Sequence, residues 1–120
     1  MTVGNDDQNQ WRHDYDQRQY RRMVERLDAF LAGDLHLMHL TADLNTLLVA
    51  LEGDDVDDRW ADEFSDLWRE LEVTDAVSVD KGEKVLNEAD ARRTREIAVR
   101  LRRLVLPKID SSSEQEESRV

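Results

Sequence analysis

Residues 58–74 read DRWADEFSDLWRELEVT, and two patterns overlap in them. Trp60, Phe64, Leu67, Leu71 and Thr74 recur at intervals of four, three, four and three residues. This is the spacing of one face of an α-helix, so the stretch predicts an amphipathic helix with that stripe turned inward. Asp58, Asp62 and Asp66 recur at i, i+4 off that stripe, with Glu63 and Glu70 beside them. Like charges stacked in this way cost a helix about 0.2–0.5 kcal/mol per pair. A helix with one apolar stripe needs partners to cover it, and the flanking sequence supplies them.

On the N-terminal side, Leu37, Leu40, Leu44, Leu47, Leu48 and Leu51 form a second stripe, for a helix capped by Asp34, ended by Gly53 and expected to be the most buried. Ahead of it, a helix from about Gln10 to Leu31 turns Tyr20, Met23, Val24, Leu27, Phe30 and Leu31 to one side and stops at Gly33. Asp54, Asp55, Asp57 and Asp58 lie where the third helix begins and complement its dipole; Lys81 and Gly82 end it. Asn87 with Asp90 resembles a capping box for a fourth helix, with Ile97, Ala98, Leu101, Leu104 and Val105 inward and Pro107 as terminator. Four such helices on short connections predict an all-α fold, a compact antiparallel four-helix bundle. The bundle domain is expected over residues 10–108. Residues 1–9 and the acidic tail 109–120, with its SSSEQEESRV end, have little to bury and are expected to be disordered.

A chain of 120 residues makes one domain able to fold without staples, and the absence of cysteine excludes disulfides, thiolate metal sites and cysteine nucleophiles. The polar, acidic start and a longest apolar run of only Leu47 to Leu51 lead to the expectation of a soluble, cytoplasmic protein that does not enter a membrane. The net charge of −11 is unevenly placed. Residues 34–80 hold fourteen Asp or Glu against two Arg, a local −12, whereas residues 81–108 hold nine Lys or Arg against four Asp or Glu, a local +5. Segregation of this kind bears on partners and solubility rather than on fold.

The carboxylates of the third helix, Asp58, Asp62, Glu63, Asp66 and Glu70, are either a solvated surface or a site for a basic protein partner. Arg69 is near enough in sequence to relieve them; Arg92, Arg95, Arg100 and Arg103, or Arg18, Arg22 and Arg26, are the alternatives in space. Trp68 lies about 80° around the helix from Trp60, so it is either a rim residue of the core or an exposed anchor for the partner. Catalysis finds less support. Glu63-x-x-Asp66 and Glu72-x-x-Asp75 stand about half a turn out of phase and cannot converge on one ion, and no phosphate loop or Ser/His/Asp arrangement is present. His36, His39 and Asp43 share a ridge without a fourth ligand, which reads as surface histidines; no metal and no cofactor are expected. The Arg92-Arg93 and Arg102-Arg103 pairs lack interleaved aromatics and face a strongly acidic neighbourhood, so nucleic acid is not expected as a partner.

Between Tyr20 and Leu106 the order FLAGDL, DLNTLLVALEG, DRWADEFSDLWRELEV, a Lys-Gly break and a final helix begun by LNEAD resembles a group of small, acidic, all-helical bacterial proteins. More loosely it is similar to helical immunity proteins, which neutralise bacterial toxins by binding them. The resemblance implies a stand-alone binding protein without a cofactor, monomeric or weakly dimeric, and transfers no functional residue. Two other classes stay open: a metal-dependent hydrolase of nucleotides or related phosphoanions that uses the acidic helix, and a structural or assembly subunit.

Overall fold

The computed structural model describes residues 3–51, 57–82 and 86–109, with side chains from Trp11 onward. The described residues form four α-helices: α1 (Val3–Leu31), α2 (Leu37–Ala50), α3 (Asp58–Asp80) and α4 (Glu88–Val105), the last running into a 3₁₀ turn at Leu106–Lys108 that holds Pro107. Each helix packs on its neighbour in sequence, and α4 returns to α1, so the four close into a ring. Cross-helix ties set the directions. Asp28 meets Arg102 and Gln17 meets Lys108, while Trp60 meets Leu104 and Glu70 meets Arg93. Adjacent helices are therefore antiparallel, and the architecture is the expected four-helix bundle.

The core is built from the stripes. Tyr20, Met23 and Leu27 of α1, Leu40 and Leu44 of α2, Phe64 and Leu71 of α3, and Ala98, Leu101 and Val105 of α4 are all fully buried. Trp60 is its polar-tipped keystone. Its indole N–H donates to the Leu104 carbonyl at 3.0 Å, satisfying the donor that burial would otherwise strand. Its ring meets Tyr20 edge-on at 5.9 Å and lies against Phe64 at 5.4 Å.

Helix limits follow cap chemistry, and in three places they depart from expectation. The helix α1 begins at Val3, ahead of Gln10; of the residues read as a disordered start, Met1 and Thr2 lie outside the described residues. At its other end Gly33 adopts φ +86, the left-handed conformation that favours glycine. The Gly33 N–H donates to the Phe30 carbonyl at 3.0 Å and the Asp34 N–H to the Ala29 carbonyl at 2.8 Å, a Schellman stop. Asp34 is thereby committed to ending α1, and His36 caps α2 in its place, with Nδ1 accepting from the Met38 N–H at 3.2 Å. The helix α2 ends at Ala50, because Leu51 is extended; Gly53, Asp54 and Asp55 lie outside the described residues, as does the tail read as 109–120 except for Ile109, which packs partly buried against the core instead of being disordered. Asp57 caps α3 by accepting from the Trp60 N–H at 2.7 Å, and Asn87 caps α4 by accepting from the Asp90 N–H at 2.9 Å, the second as the sequence indicates.

Candidate functional site

The polarity of α3 divides its surface. With Trp60, Phe64, Leu71 and Ser78 turned into the bundle, Asp58, Asp62, Glu63 and Asp66 are left exposed on the outer side. Their relief is partial. Glu63 lies 3.8 Å from Arg59, both largely in solvent, a geometry worth little in water. Half-buried Glu70 accepts from Arg93 of α4 at 3.1 Å. Asp58, Asp62 and Asp66 form no ion pair with any described residue. The arginines considered as relief are engaged elsewhere or stand apart: Arg26 lies 3.6 Å from Asp43, Arg92 lies 3.7 Å from Glu88, and Arg95 donates to the Leu31 carbonyl at 2.8 Å.

Trp68 takes the rim position. It is half-buried against the core, and its indole N–H donates to the Thr41 carbonyl of α2 at 2.8 Å. An indole whose polar atom is already bonded within the bundle ties α2 to α3 and has little left to offer a partner. The apolar component of the outer face comes instead from residues the sequence reading passed over. Val73 and Val77 are 54% and 41% exposed, and they continue the ridge of Asp66 and Glu70 at the helical intervals of three and four. Their signal was present in the sequence as two β-branched residues outside the inward stripe. The outer face of α3 thus carries a strip that is acidic from Asp58 to Glu70 and apolar at Val73 and Val77, with exposed Asp80 one step beyond.

The other candidates do not assemble into chemistry. The His36 and His39 rings are 6.4 Å apart and nearly perpendicular; His36 Nδ1 is used in the α2 cap and Asp43 turns toward Arg26. Among the described residues no three His, Cys, Asp or Glu side chains come together in a geometry that could hold a metal ion. On the outside of α4, Arg92, Arg95, Arg100 and Arg103 surround Glu96 and Val99 in a shallow groove. A cavity of about 480 Å³ at the end of the bundle is lined by Phe30, Leu35, Leu37, Val79 and Leu86, together with Asp75 and Ser78. No described helix is long and apolar enough to cross a membrane. Comparison with known protein families, curated proteins and solved structures finds no match to this chain.

Proposed function

We propose that the protein is a binding module whose outer α3 strip receives a basic protein partner. One observation carries the reading: Asp58, Asp62 and Asp66 stand exposed in i, i+4 register with no ion pair among the described residues, and the same ridge runs into exposed Val73 and Val77. A strip in which an acidic run passes into exposed apolar side chains matches an interface in which charge speeds encounter and sets specificity while buried apolar contact slows release. Immunity-type inhibition is the special case in which the partner is a toxin and the strip covers its basic cleft.

The test compares the parent with the double reversal Asp62→Lys, Asp66→Lys as baits for proteins of the native cell, followed by association kinetics with the captured partner. The variant should stay folded, because exposed substitutions change stability by about 0.5 kcal/mol or less. Association should be slower and less dependent on salt. For the immunity case, survival on co-expression with a neighbouring toxin should be lost. A variant that binds and protects as well as the parent overturns the proposal.

A further inference from the structure

The bundle carries a second strip whose order is the reverse of the α3 strip. On the outer side of α1, Trp11, Tyr15, Arg18, Arg22 and Arg26 follow one another at intervals of four, three, four and four residues. On α3, Val77, Val73, Glu70, Asp66 and Asp62, read backwards, follow at the same intervals. At 100° and 1.5 Å per residue each strip spans about 80° of its helix and about 22 Å of length. Laid antiparallel in one register, Trp11 meets Val77 and Tyr15 meets Val73; Arg18 then meets Glu70, Arg22 meets Asp66, and Arg26 meets Asp62. All five positions are complementary, two apolar and three oppositely charged.

The α1 strip is accessible. Trp11 is 57% exposed and stacks on half-buried Tyr15 at 5.5 Å. Arg18, Arg22 and Arg26 are exposed, with Arg26 held only by its 3.6 Å approach to Asp43. The two strips cannot meet within one molecule: α1 and α3 are diagonal in the ring, they reach each other through core side chains such as Tyr20 and Trp60, and both strips face away from that core.

We infer that the partner of the α3 strip is the α1 strip of a second copy of this chain. The inference rests on the reading that the α3 face docks a basic surface, and it names that surface. Because donor and acceptor strips lie on opposite sides of the bundle, the contact is heterologous, and repetition builds head-to-tail rows rather than a closed two-fold dimer. Two crossing strips of this length bury less than the roughly 800 Å² per partner of a standard interface, so the association is reversible and concentration-dependent. Each copy carries a net −11. Salt at about 0.15 M, with a screening length of about 8 Å, damps that overall repulsion and leaves contacts within the strip acting. Trp11, an aromatic at the apolar end, is the expected anchor.

Sedimentation at about 0.15 M salt, over a concentration series from dilute to near-millimolar protein, tests the inference. The weight-average mass of the parent should climb above the 14.1 kDa monomer as concentration rises. Arg22→Glu alone and Asp66→Arg alone should each weaken association at least tenfold, and Trp11→Ala should do the same, with circular dichroism confirming that each variant is folded. An equimolar mixture of Arg22→Glu with Asp66→Arg should associate again, since the reversed position of one copy then faces the reversed position of the other. A parent that stays monomeric throughout, or single reversals that associate like the parent, overturns the inference. If the parent is monomeric while Asp62→Lys, Asp66→Lys still abolishes capture of a different basic protein, the second copy is refuted and the α3 docking face stands. If neither effect is seen, both readings fall.

Discussion

Replacing Trp68 by Phe separates a tie within the bundle from an anchor for a partner. The change deletes the indole donor whose 2.8 Å bond to the Thr41 carbonyl crosses from α3 to α2, and a bond of this kind contributes about 0.5–1.5 kcal/mol net. The smaller ring removes about 40 Å² of aromatic surface, about half of it buried here, which at about 25 cal/mol/Å² adds about 0.5 kcal/mol. The total is about 1–2 kcal/mol. With an unfolding entropy of about 2.1 cal/mol/K per residue over about 100 ordered residues, the melting temperature should fall by about 5–10 °C. Thermal unfolding of dilute protein followed by far-ultraviolet circular dichroism reads this directly. Trp11→Phe is the control, because an exposed indole leaves the melting temperature within about 2 °C of the parent. If Trp68→Phe also melts within about 2 °C of the parent but loses partner capture, Trp68 is an interface anchor and its assignment as a tie is refuted.

Two further outcomes test the fold around the site. Phe64→Ala empties a fully buried position packed on Trp60 and should cost about 3–5 kcal/mol in urea unfolding; a loss below about 1 kcal/mol would show that α3 does not carry the core. Asp57→Ala removes the acceptor 2.7 Å from the Trp60 N–H and should cost about 0.5–2 kcal/mol, with most of it restored by Asp57→Asn; equal losses in both variants would show that the cap is not the cause.

The core was legible because the inward stripes of all four helices depend on a local period, and the period survives whatever the helices pack against. Phe64, Leu71, Leu101 and Val105 follow from spacing alone. The acidic run around Asp57 was read for its charge rather than for the cap it supplies, but the cap at Asn87 was legible, since an Asx side chain ahead of a helix has few other local uses. Asp34 was not. Its backbone N–H closes the stop that Gly33 makes possible, and that shifts the start of α2 by two residues to a histidine cap. Trp68 could be placed off the inward stripe, but not against a neighbour. Which flank of α3 is covered by α2 depends on the order of helices around the ring, and periodicity within one helix does not record that order. Val73 and Val77 were overlooked because a search for charge stops where the charge stops, although the ridge continues.

The ring has one corner without a covalent link. Three of its helix pairs are joined by connecting segments, whereas α4 reaches α1 only through space, so closing that corner carries the entropy of the longest loop in the protein. The described ties across it are polar and spread along its length: Arg102 with Asp28 at 2.7 Å, Arg95 with the Leu31 carbonyl at 2.8 Å, and Gln17 with the Lys108 carbonyl at 2.7 Å. They stand in for a missing hinge. The start of α1 and the end of α4 also lie toward the same end of the bundle. A circular permutant joined there and opened between α2 and α3 keeps every helix neighbour, and it moves the vulnerable seam to the very edge of the acidic helix.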